Sequence, residues 1–177
     1  MNESTALLII DVQNGLFTIK DLPIFQEELL IENILTLLKK ARNAKIPIFY
    51  IQHNDPKGKR LENGRENWKI RSEITPCSED VIIQKYNSDS FLDTILDEEL
   101  HKRKITRLVI AGLATPMCID TTVRSAVSHG YNVILIQDAH STIDSEVLKA
   151  SEIIAHHNDV LQWFSELKKV KEFEFFQ

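Results

Sequence analysis

Glycine is scarce in this chain. Its 177 residues hold only five, at positions 15, 58, 64, 112 and 130. No three of them fall within six residues, so no G-x-G-x-x-G loop exists. Only Gly58 is followed by Lys, and position 53, where a Walker loop needs its first Gly, is His53. Nucleotide sites built on those loops are excluded. Cysteine is scarcer still. Cys77 and Cys118 stand far apart, which suits neither a disulfide framework nor a cysteine-rich zinc site. Free thiols and a cytoplasmic protein are the expectation. Positive charge is in deficit: 21 Lys and Arg against 26 Asp and Glu give a net charge of −5. Nucleic acid and anionic membrane surfaces are therefore not expected partners. Long apolar runs are missing too. The run Ala6 to Ile10 is too short for a signal core or a membrane span. What remains is a 43% hydrophobic composition, enough for one domain, expected over 1–177, with a full core.

Strand and helix patterns alternate along the chain. Ala6 to Ile10, Ile48 to Ile51, Val81 to Ile83, Leu108 to Ala111 and Val133 to Ile136 are continuous apolar runs. Runs without polar alternation suit strands covered on both faces, as in parallel sheets. Between them, helices are expected over about 25–45, from Ser90 with Asp93 as its box partner, over about 116–129, and over about 145–157. Leu92, Ile95, Leu96 and Leu100 would form the core stripe of the second. Thr115 reads as an N-cap with Pro116 at the first helical position, and Gly130 as a C-terminal stop. A last short helix would hold Leu161, Trp163, Phe164 and Leu167, and the tail Phe173 to Phe176 would add an edge strand. Residues 53–76 carry Pro56, Gly58, Gly64 and Pro76 among many charges. They read as a long loop, a class that is usually functional or disordered. The expected fold is α/β: a three-layer, doubly wound, five- or six-stranded mainly parallel sheet flanked by helices.

Ligands in such sheets bind beyond the carboxyl ends of the strands. Asp11, His53, Lys85, the 112–118 turn and Asp138 stand at those ends. Cys118 would fall at the third position of its helix, where unpaired N–H groups and the helix dipole favour a thiolate. A small buried hydrophobe is the equally open reading. Asp11 and Lys85 each read alone as a solvated charge. Together the three supply a nucleophile, a base and a group that orients or balances the base. On that reading Cys118 alkylates rapidly at neutral pH and Asp11→Asn slows it.

These residues carry a resemblance. The segments Ala6 to Asn14, Lys85 to Phe91 with Thr94, Ala111 to Ala126, Gly130 to Val133 and Gln137 to Ala139 are similar, in order, to the isochorismatase-like cysteine hydrolases. The resemblance implies a triad of Asp11, Lys85 and Cys118: Asp11 takes the thiol proton, Cys118 attacks a carbonyl, and Lys85 holds Asp11. It implies a cis peptide at Leu113-Ala114, with the N–H groups of Ala114 and Cys118 as an oxyanion hole. It implies C–N cleavage of a small amide, ureido or carbamoyl compound through a thioester. It also implies a homodimer or larger homo-oligomer.

Departures narrow the reading. Metal-binding nicotinamidases of the family carry Asp-x-His, whereas this strand ends Ile51-Gln52-His53-Asn54, so no metal and no other cofactor is expected. Vinyl-ether hydrolysis, a nicotinamidase, and a non-enzymatic, redox-responsive thiol protein on the same fold remain alternatives. Phe17, His53, Trp68, Phe91 and Met117 are candidates for substrate contact, each with plain packing as its competing role. Pro116 is atypical for the family's turn. Gln13, Asp138 and His140 are expected to hold loops, and Cys77 to be inert.

Overall fold

In the computed structural model, which describes residues 4–175, six strands form one parallel sheet. They are β1 (Thr5–Ile10), β2 (Ile48–His53), β3 (Val81–Lys85), β4 (Arg107–Leu113), β5 (Asn132–Ser141) and β6 (Glu166–Lys168). Their order is β3-β2-β1-β4-β5-β6, and every pairing is parallel. β1 is buried at every position, which is why its sequence shows no polar alternation. Leu7, Ile9, Tyr50 and Val109 face α1 (Glu27–Asn43) and the C-terminal tail. Ala6, Leu8, Ile10 and Phe49 face α2 (Leu96–Lys102) and α3 (Asp120–Ser128). Strand order reverses between β1 and β4, so the crevice for a ligand opens there. No described helix is long and apolar enough to cross a membrane.

Several boundaries differ from the sequence expectation. α2 starts at Leu96 and not at Ser90. Ser90 is buried against Thr122, with Oγ atoms 2.8 Å apart. Ile95 stands at the cap position with no side-chain cap bond, and Thr94 Oγ1, one residue earlier, accepts from the Leu96 N–H at 3.2 Å. Leu92 and Ile95 consequently lie exposed, outside the core stripe. α4 spans Ala150–Leu161. Asp144 holds the preceding loop by accepting from the Ala150 N–H at 2.8 Å. The expected helix around Leu167 is instead β6, a three-residue edge strand paired to β5. The tail makes a 3₁₀ turn over Val170–Glu172. Phe173 and Phe175 then pack edge to face, with centroids 4.8 Å apart, and not as a strand. Phe176 lies outside the described residues.

β5 runs on past Asp138 to Ser141 through a bulge. Ile110 pairs with Leu135, but Gly112 pairs with His140. Gly112 has φ +127, and a Cβ there would strike the Ile10 backbone. Glycine is therefore required where β4 crosses β1. The 53–76 loop is ordered, with 3₁₀ turns at Glu66–Trp68 and Ser72–Ile74. A chain of side-chain amides ties it down. Buried Gln13 donates to the carbonyls of His53 (3.0 Å) and Trp68 (2.7 Å) and accepts from the His53 N–H (2.8 Å). Asn54 Oδ1 accepts from the Trp68 indole at 2.8 Å.

Candidate active site

Three strand ends converge at the crevice between β1 and β4. Asp11 follows β1 with φ 53, a left-handed conformation that Asp tolerates better than most residues. Lys85 ends β3 and is fully buried. Its Nζ sits 2.7 Å from Asp11 Oδ2 and 3.1 Å from Cys118 Sγ. A third contact, 2.9 Å to the carbonyl of Asn87, completes its donor set. Asp11 is also buried, and its Oδ1 has no hydrogen-bond partner among the described residues. A buried carboxylate oxygen without a donor is rare enough to ask what fills it.

Cys118 is carried by a segment that departs from the expected α-helix. Residues Thr115–Ile119 form a single π-helical turn, and α3 proper begins at Asp120. Ala114, not Thr115, is the cap residue, and its carbonyl accepts from the Met117 and Ile119 N–H groups. Thr115 does not cap because its hydroxyl is bonded to His140 at 2.9 Å. The Leu113-Ala114 peptide preceding this turn is cis.

The electrostatics also differ from expectation. Burial, reinforced by the Asp11 carboxylate, pushes the Cys118 thiol up to about 12 against the opposing pull of Lys85. The helix-end effect that favours a thiolate does not decide the balance, because desolvation penalises the charged form more. Burial works against the Lys85 charge as well. The Asp11 carboxylate and the hydrogen bond to the Cys118 sulfur outweigh that, and the Lys85 pKa is raised. The resting arrangement is a protonated thiol beside a buried ammonium–carboxylate pair.

The other candidates are placed unequally. His53 pairs with Lys85 in strand register, so both side chains stand on the same face. Its Nε2 lies 3.5 Å from Asp55 Oδ1, and its Nδ1 is buried without a hydrogen-bond partner. Met117 is exposed beside Cys118. Phe17 lies under the Arg71 guanidinium, 4.5 Å from ring to Cζ, and Trp68 belongs to the loop's amide chain. Phe91 is stacked on His129 at 4.5 Å and packs in the core near the start of β5. No three His, Cys, Asp or Glu side chains among the described residues gather to hold a metal. Sequence reasoning named Thr115 as a cap and His140 as a residue that holds a loop, but missed Asn158 and the bonds that link the three behind the Cys118 turn. Nothing local in the sequence links positions so far apart.

The isochorismatase domain family model matches residues 5–156. The chain is 32% identical to the isochorismatase family protein YddQ of Bacillus subtilis over 156 residues, covering 85% of this chain and 87% of that one. It is 26% identical to the ureidoacrylate amidohydrolase RutB of Cronobacter sakazakii, over 77% of this chain and 74% of that one. A crystal structure of a putative isochorismatase hydrolase from Oleispira antarctica superposes with TM-score 0.89 at 27% identity, covering 97% of this chain and 96% of that one.

Proposed function

The chain belongs to the isochorismatase family of hydrolases, and from that premise we propose that it cleaves the C–N bond of a small amide, ureido or carbamoyl compound. Cys118 is the nucleophile of this reading, Asp11 the base and Lys85 the group that holds both. The observation that carries it is one buried ammonium bonded at once to a carboxylate and a thiol sulfur. Relatives such as RutB, an amidohydrolase by name, support the substrate class.

In this scheme Asp11 takes the thiol proton, its unpartnered Oδ1 being free to receive it. The sulfur then bonds to the substrate carbonyl carbon, and the oxygen gains negative charge. The N–H groups of Ala114 and Cys118 are assigned to that oxygen; one such donor is worth about 3 kcal/mol. The C–N bond breaks as Asp11 returns the proton to the leaving nitrogen. Water adds to the thioester with Asp11 again as base, and the acid and free thiol are released. His53 and Met117 are assigned to substrate contact.

The test is a screen for ammonia or amine release across amides, ureides and carbamoyl compounds. Turnover is expected to vanish in Cys118→Ala. Undiminished turnover in that variant refutes the scheme.

A further inference from the structure

Behind the nucleophile turn runs a hydrogen-bond chain that crosses three elements. Asn158, on α4, donates from Nδ2 to the Gln137 carbonyl at 3.2 Å. That fixes the amide's orientation and turns Oδ1 toward His140, whose Nε2 lies 2.9 Å away. An oxygen there can only accept, so Nε2 carries the imidazole proton. The other ring nitrogen, Nδ1, is therefore the acceptor, and the Thr115 hydroxyl donates to it at 2.9 Å. Every proton in the chain is assigned by its neighbour. His140 and Thr115 are both buried, so water does not compete for these bonds. The β5 bulge makes the chain possible. It carries His140 level with Gly112, within reach of the residue that opens the Cys118 turn.

We propose that His140 is a positioning residue: by accepting the Thr115 hydroxyl proton it fixes the start of the π-helical turn and so sets Cys118 Sγ against Lys85. The later part of the turn is held by the Met117 and Ile119 N–H bonds to the Ala114 carbonyl and by buried Ile119; at its first residue the tie is the Thr115 hydroxyl. Pro116 has no N–H to give, and Met117 is exposed. The contact at stake is the 3.1 Å approach of Lys85 Nζ to the sulfur. That approach is the attraction favouring the thiolate, and it weakens as the turn drifts. The inference rests on Cys118 being the reacting thiol of the proposed function, but its test does not use turnover.

The experiment measures iodoacetamide alkylation of Cys118 at pH 9 by intact mass, in a Cys77→Ser background, with thermal midpoints recorded for each variant. Thr115→Val removes the donor, and Thr115→Ser keeps it. His140→Asn places an acceptor where Nδ1 was, whereas His140→Gln keeps only a donor near Nε2. Alkylation is expected to fall about tenfold in Thr115→Val and His140→Gln, the scale of a small misplacement at a reacting atom. Thr115→Ser and His140→Asn are expected to stay near the parent rate. Parent-rate alkylation in Thr115→Val overturns the proposal. So does an equal loss in His140→Asn and His140→Gln, which would mean that the ring serves only as filling. Should Thr115→Val fail to fold, the two His140 variants decide alone. Failure of the proposed function registers separately, as amide turnover that survives Cys118→Ala.

Discussion

Replacing Asp11 with Asn removes one negative charge from a buried three-group site and leaves the backbone undisturbed, since Asn also tolerates φ near 53. Two contacts to Lys85 Nζ, 2.7 Å from the carboxylate and 3.1 Å from the sulfur, put those two groups within about 6 Å of each other. At an effective dielectric of about 20, two like charges at that distance repel by about 3 kcal/mol. That is roughly two pKa units. The Cys118 thiol, held up at about 12 by burial and by Asp11, should therefore ionise roughly two units lower in Asp11→Asn. The thiolate then takes the carboxylate's place as the partner of Lys85. Alkylation of Cys118 followed from pH 6 to 11 in a Cys77→Ser background reads this directly. The variant should react faster than the parent at pH 8 while losing amide turnover. This reverses the direction expected from sequence, where Asp11→Asn slows alkylation. An unchanged or upward-shifted profile refutes the electrostatic account.

Three further outcomes follow from the same structure. Because the folded Cys118 value lies above that of a free thiol, its contribution to stability is complete below about pH 8.5 and is lost as pH rises toward the folded value. The loss is at most about 1.4 kcal/mol per pH unit, and Cys118→Ala should flatten that part of the decline in urea midpoints above pH 9. Gly112→Ala forces a Cβ onto the Ile10 backbone at φ +127 and should cost about 4 kcal/mol or more in denaturant unfolding. Gln13→Leu removes the side-chain partner of the His53 N–H and carbonyl, while the Trp68 carbonyl keeps only its bond from Gln52 Nε2 at 2.9 Å. That should cost about 1–3 kcal/mol per unpaired group and open residues 54–76 to limited proteolysis.

The parallel core was legible because burial on both faces leaves no polar residue between Ala6 and Ile10 of β1, and the same holds for the apolar stretches of β2, β4 and β5. β6 was not, because Glu166-Leu167-Lys168 is an edge strand too short and too polar to show a period. The helix start differs from expectation because Ser90 looks like a cap but spends its hydroxyl on Thr122, while α2 begins after Ile95, a residue with no capping side chain. At the site, Asp11, Lys85 and Cys118 were readable as strand-end residues of one sheet. The state of the thiol was not, since burial and a neighbouring carboxylate outweigh the helix terminus only once the distances are known. That Gln13 and His140 hold loops was readable, but which groups they bind was not, for a related reason. Their partners are backbone atoms and side chains brought close by the crossovers and by the β5 bulge.

In the proposed function Cys118 forms a covalent bond to the carbonyl carbon of its substrate. Intact-mass spectrometry of the protein, quenched in acid during turnover of an amide or ureide found by the release screen, tests it most directly. A transient adduct with the mass of the acyl fragment is expected, mapped to the peptide bearing Cys118 and absent in Cys118→Ala. Turnover at full rate with no adduct, persisting in Cys118→Ala, would contradict it.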